Sequence, residues 1–68
     1  MAVARVSEIV ASSKESIDAA MAEGLKRAAK TLRGITGLEV TRIQAKVEKN
    51  KIVEYRVEVK IHFEYEGT

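Results

Sequence analysis

An α+β fold with the element order β-α-β-β follows from three features of this 68-residue chain. Val53 to Tyr65 alternates apolar and polar residues without a break, as a half-buried strand does. Ile17 to Leu32 carries small and apolar residues at helical spacing. Leu38 to Val47 is a second alternating run, and Lys49-Asn50-Lys51 separates it from the last one as a hairpin turn. A right-handed crossover sets the first two strands parallel, and an antiparallel third strand fits between them. The expected architecture is a single domain over residues 1–68: a three-stranded sheet in the order 1-3-2, with one helix across its apolar face.

Residues 3–10, Val-Ala-Arg-Val-Ser-Glu-Ile-Val, read as the first strand, with Val6, Ile9 and Val10 leaving its buried face open. Ser12-Ser13-Lys14-Glu15 then supplies a helix start, in which a serine hydroxyl accepts from a free backbone amide and Glu15 reaches back to the cap. Ile17, Ala20, Met21, Gly24, Leu25, Ala28 and Leu32 form one stripe of a helix expected to run to about Arg33 and to end at Gly34. Gly24 lies inside the stripe, where glycine costs about 1 kcal/mol against alanine, so the helix is expected to approach the sheet closely there.

In the second strand Leu38 and Val40 share one parity while Ile43, Ala45 and Val47 take the other, which predicts a β-bulge near Thr41 and Arg42. Asn50 suits the left-handed conformation of the following turn. In the last strand Val53, Tyr55, Val57, Val59, Ile61, Phe63 and Tyr65 share one face, and Glu54, Arg56, Glu58, Lys60, His62 and Glu64 the other. So long a strand is the spine of the fold, one face on the core and the other facing water or another subunit.

A chain of this size buries only about 60% of the surface its unfolded form exposes. The chain has no cysteine, which excludes disulfides and thiolate metal sites and makes self-association the leading way to supplement a thin core. Met1 to Ala11 contains Arg5 and Glu8 and lacks a long apolar run, unlike a signal peptide, and no segment is long enough to span a bilayer. A cytoplasmic protein without membrane partners is expected. Twelve basic residues are interspersed with ten acidic ones, giving a net charge of +2 without the basic stripe of a nucleic-acid surface.

Gly34-Ile35-Thr36-Gly37 spells G-x-x-G, as in the loop that clamps a nucleic-acid backbone between two helices. Here it joins a helix to a strand, where a C-cap explains the glycine, so no nucleic-acid partner is expected. His62 is the sole histidine and lies on a polar strand face, which reads as a surface or interface residue rather than a catalytic base. No nucleophile, base and orienting group can be placed together, and no enzyme is expected. Glu54, Glu58 and Glu64 alternate with cations, which reads first as cross-strand ion pairing. Repeated by symmetry, these carboxylates are also the candidate ligands for calcium or another divalent cation. Arg42 and Arg56 read as solvated surface cations, or as positive charge near a ligand phosphate.

The length, the order of elements and several segments together resemble the dodecins. The segments are Val6 to Ser13 with Lys14-Glu15-Ser16, Ala19-Ala20 through Arg27-Ala28, Lys30-Thr31-Leu32-Arg33, Glu39-Val40, and Glu54-Tyr55-Arg56-Val57 with Val59 and Phe63. The resemblance implies a hollow homododecamer that binds and stores a small molecule, usually a flavin such as FMN or riboflavin, without turning it over. In flavin-binding members a tryptophan before the second strand stacks on the ring, and a glutamine in the third strand bonds its edge. The matching positions here are Gly37 and Arg56. Glycine offers no π-face, and arginine cannot accept the ring N–H. With Arg42, these residues mark a flavin-type site in degenerate form. The chain is also similar at Gly37 to members that lack the tryptophan and are associated with calcium, which leaves a cation-binding or structural shell as the alternative.

Overall fold

The structure, a computed structural model, describes residues 2–66. Strand β1 (Ala2–Ser13) leads to helix α1 (Ile17–Ala28), then to β2 (Ile35–Glu48) and β3 (Lys51–Glu66). β3 pairs antiparallel with both neighbours in the order β1-β3-β2, so the long alternating strand is the centre of the sheet.

Each strand is longer than its apolar pattern, because pairing with β3 carries polar residues into the ladder. β1 continues through Ser12 and Ser13, paired with Arg56 and Tyr55. That moves the helix start. Ser12 and Ser13, expected as caps, are strand residues, and Ser16 is the N-cap, its hydroxyl accepting from the Ala19 amide at 2.9 Å. Ser13 instead accepts from the Glu15 amide at 3.0 Å, forming the local turn that leads out of β1. Asp18 in the first turn and Lys26 and Arg27 in the last complement the helix dipole.

The helix stops at Ala28, short of the expected Arg33. The Lys30 and Thr31 amides bond back three residues, to the Arg27 and Ala28 carbonyls, and Leu32 returns to Ala28 at 2.8 Å. This tightening brings Leu32 onto the core and reverses the chain toward β2. Gly34 is therefore a strand-entry residue rather than a C-cap. It holds φ +70°, its carbonyl accepts from the Glu64 amide at 2.9 Å, and a Cβ on it would collide with the Glu64 carbonyl oxygen.

The core is a narrow strip. Val57, Val59 and Ile61 of β3 are fully buried, with Ala11 of β1 and Ala20 and Ala28 of the helix. Burying each of the three large side chains is worth about 1.5–3 kcal/mol. The stripe of small residues lets the helix lie low on the sheet, as expected from Gly24. A Cβ there would stand 3.2 Å from Ala11 Cβ and 3.5 Å from Ile9 Cδ1. Val53, Tyr55 and Phe63 are half-buried on the same face, and the Tyr65 side chain lies outside the described residues.

The expected bulge lies between Val40 and Arg42, where Thr41 is left out of the ladder and its hydroxyl donates to the Glu58 carbonyl at 3.1 Å. Two further register shifts, between Ile35 and Gly37 and between Lys46 and Val47, have no counterpart in the apolar pattern. The turn is tighter than expected: Lys49 and Asn50 both take positive φ (53° and 65°), and Lys51 already pairs with Glu48. Two such residues form the turn whose twist matches a hairpin.

The outer hairpin, residues 46–54, runs past the end of β1 and carries Val47 and Ile52 more than half exposed, as is Ile43 just before it. The molecule is 54 Å long, and its radius of gyration of 14.1 Å exceeds the roughly 11 Å of a compact chain this size.

Candidate functional site

The face of the sheet turned away from α1 carries the polar chemistry. Alternation along β3 sets Glu54, Arg56, Glu58, Lys60 and His62 there, and the register decides what stands beside each. On the β2 side the rungs are Gly37–His62, Glu39–Lys60, Arg42–Glu58, Gln44–Arg56 and Lys46–Glu54. On the β1 side they are Val6–His62, Glu8–Lys60, Val10–Glu58 and Ser12–Arg56. Val6 and Val10, whose orientation the sequence left open, thus lie on this face and are more than half exposed.

Some of these charges have a partner, and Glu8, Glu54, Lys60 and Arg56 have none among the described residues. Glu39 Oε1 lies 3.3 Å from His62 Nε2, reached across the ladder diagonally, and Arg42 Nε lies 3.8 Å from Glu58 Oε2. Lys46 turns along its own strand to Glu48, Nζ to Oε2 3.6 Å. These exposed pairs are worth about 0–1 kcal/mol each and set orientation more than stability. Arg56 differs. Its rung neighbours are the uncharged Gln44 and Ser12, and among the described residues its guanidinium makes no hydrogen bond or ion pair. A depression of about 360 Å³ lies over this rung, lined by Gln44, Ala45, Lys46, Glu54 and Arg56.

Of the residues expected to form a site, Arg42 and Arg56 are brought together on adjacent rungs of this face. Gly37 shares the face but stands opposite His62, six residues along β3 from Arg56, or about 20 Å at the usual strand rise. No single small ring spans that distance within one subunit. Room exists beside Gly37, since among the described residues, chain neighbours aside, a Cβ there would have only His62 Cβ within 4 Å, at 3.9 Å.

Glu54, Glu58 and Glu64 follow one strand, separated by about 13 Å and 20 Å. Among the described residues no three His, Cys, Asp or Glu side chains converge on a cation position. No helix among them is long and apolar enough to cross a membrane. Gln44 is the residue the sequence reading missed. The slip at Thr41 was visible, and carrying the changed parity forward sets Gln44 on the polar face. Its partner Arg56 emerges only from the register.

The arrangement matches known proteins over its whole extent. The Dodecin family model covers residues 3–66. A dodecin of Thermus thermophilus is 36% identical over 61 residues, which are 90% of this chain and 88% of the relative. The structure of a dodecin from Streptomyces coelicolor superposes with a TM-score of 0.90 at 30% identity, covering 98% of this chain and 96% of the other. A Mycobacterium tuberculosis protein described as a calcium-chelating immunodominant antigen, calcium dodecin, superposes at 0.78 with 26% identity, over 90% and 87% of the two chains. With the family model extending through every strand and the helix, and the β1-β3-β2 sheet in its expected place, this chain belongs to the dodecin family.

Proposed function

We propose that the protein is a non-enzymatic, cytoplasmic small-ligand binding and storage protein that acts as a hollow homododecamer and holds its ligand on the polar sheet face between copies. The observation that carries this reading is the bare outer hairpin. Ile43, Val47 and Ile52 are each more than half exposed on a 54 Å molecule, and a second copy of the chain is the partner always at hand to bury them. The roughly 20 Å between Gly37 and Arg56 supports a shared ligand position, because only residues from different copies can then touch one ring. A planar flavin-type ligand suits a site with Arg56 and Arg42 at one end, although Gly37 supplies no stacking surface.

Native mass spectrometry with a riboflavin titration tests this: a twelvefold mass and quenching of riboflavin fluorescence are expected. A monomer or dimer at micromolar concentration overturns the shell, and absence of quenching overturns the flavin-type ligand.

A second reading, a shell that takes up calcium instead of flavin, is favoured by the likeness to the Mycobacterium tuberculosis calcium dodecin and by the carboxylates of Glu54, Glu58 and Glu64 on one strand. Single carboxylates from several copies would have to meet, since hard cations take six to eight oxygens and one subunit brings none of these three together. Calorimetric titration of calcium into chelator-treated protein, with Glu58→Gln as comparison, separates this reading from the first.

A further inference from the structure

His62 and Glu39 meet across the β2–β3 ladder in a way the register does not require. The residue directly opposite Glu39 is Lys60, the ordinary partner for a carboxylate, yet Glu39 turns from it and sets Oε1 3.3 Å from His62 Nε2. That separation is long for an N–H···O bond, whose usual length is about 2.9–3.0 Å. It is the spacing of two ligands on a small tetrahedral ion. Zinc holds a histidine nitrogen at about 2.0–2.1 Å and a carboxylate oxygen at about 2.0–2.2 Å, which at the tetrahedral angle puts the two donor atoms about 3.3–3.5 Å apart.

The pair is open to an incoming ion, with the two side chains 44% and 59% exposed. His62 has Gly37 as its rung neighbour on β2, which brings no side chain over the imidazole, and Val6 on β1. The charged groups around the pair on this face are Lys60 and Glu64 of β3 and Glu8 of β1. With Glu39 they set three carboxylates against one ammonium, a balance that attracts a cation. Both ligands stand on paired strands, so their geometry is held before the ion arrives.

One imidazole nitrogen with one carboxylate oxygen suits a borderline divalent ion such as zinc or cobalt, whereas calcium takes six to eight oxygens. Among the described residues no third His, Cys, Asp or Glu side chain converges there, so one subunit supplies two ligands and leaves the other positions to water or a second copy. We propose that His62 Nε2 and Glu39 Oε1 chelate a four-coordinate borderline divalent cation of the zinc class. This site goes beyond the small-ligand reading and differs from the calcium reading in its donor atoms.

Tag-free, chelator-treated protein is titrated with zinc by calorimetry for wild type, His62→Gln, Glu39→Gln and Glu8→Gln, with circular dichroism to show that each variant is folded. Wild type should take up no more than one zinc per chain, excess calcium should not displace it, and cobalt in its place should give the intense visible bands of four-coordination. His62→Gln and Glu39→Gln should each weaken zinc at least about tenfold, because loss of even an outer partner of a metal ligand costs about 10–100-fold. Glu8→Gln removes the same charge from the same face and should weaken zinc by less than about fivefold, the reach of an exposed charge. Undiminished zinc binding by His62→Gln, an equal loss in Glu8→Gln and Glu39→Gln, displacement by calcium, or no zinc binding by wild type would each overturn the site. None of these results bears on the riboflavin titration or the oligomer mass, so the storage reading is tested apart from it.

Discussion

The Glu64 amide donates to the Gly34 carbonyl at 2.9 Å, and this contact joins the end of the helical turn to the far end of the central strand. Gly34 reaches it in the left-handed region, at φ +70°, where an added Cβ would collide with the Glu64 carbonyl oxygen. Gly34→Ala therefore meets two penalties: about 1 kcal/mol or more for the backbone region, and a collision that only main-chain displacement relieves. A loss of roughly 2 kcal/mol or more is expected in urea unfolding, against a change within about 0.5 kcal/mol for Thr36→Ala, whose hydroxyl lies at 3.4 Å from the His62 carbonyl on an exposed edge. Equal midpoints for the two variants would refute the role given to Gly34.

The two serines before the helix should respond differently. Ser16→Ala removes the N-cap acceptor of the Ala19 amide and should cost about 1 kcal/mol. Ser13→Ala removes an exposed bond to Glu15 and should cost no more than about 0.5 kcal/mol. Thermal unfolding of both variants, with helicity followed by circular dichroism, checks the order. A larger effect at Ser13 would return the cap to the place the sequence suggested.

The topology was legible in the chain because β3 alternates so strictly that its neighbours have little choice of face, and because the slip at Thr41 is written in the apolar residues themselves. The helix boundaries were not legible. Ser12, Ser13 and Ser16 are equally good caps locally, and only the pairing of Ser12 and Ser13 with Arg56 and Tyr55 decides among them. The helix end was hidden for a similar reason, since Leu32 keeps helical spacing while belonging to a tightened turn that folds onto the core. At the candidate site the faces were readable and the pairings were not. Nothing in the order of residues joins His62 to Glu39 or Arg56 to Gln44, because a rung depends on the register shifts at the bulges.

Glu58 stands between Arg42 across the ladder and Arg56 and Lys60 on its own strand, so Glu58→Lys would gather four cations around one rung. In a lone subunit the lost Arg42 pair is exposed and worth about 0–1 kcal/mol, and the circular dichroism should hardly change. Where this face meets other copies the defect repeats in each, with repulsion strongest at low salt. The expected result is a native fold with a smaller assembled fraction, more so at 20 mM than at 500 mM salt. Unchanged mass and unchanged thermal midpoint at both salts would show that this face takes no part in assembly.

The last prediction concerns Gly37. A tryptophan there would project from the same face as Arg56 and has open space beside it, since among the described residues, chain neighbours aside, His62 Cβ is the sole atom a Cβ would find within 4 Å. An indole offers the π-face that glycine lacks, and aromatic stacking adds about 0.5–1.5 kcal/mol beyond the area buried. Gly37→Trp should therefore tighten riboflavin binding by at least several-fold. Because Gly37 and Arg56 stand about 20 Å apart in one subunit, the gain should depend on assembly. Introducing Ile52→Glu into the exposed hairpin should abolish the gain as it lowers the oligomer mass, while leaving the helix and core intact. An affinity gain that persists in a monomeric double variant would place stacking within one subunit and would refute a ligand shared between copies.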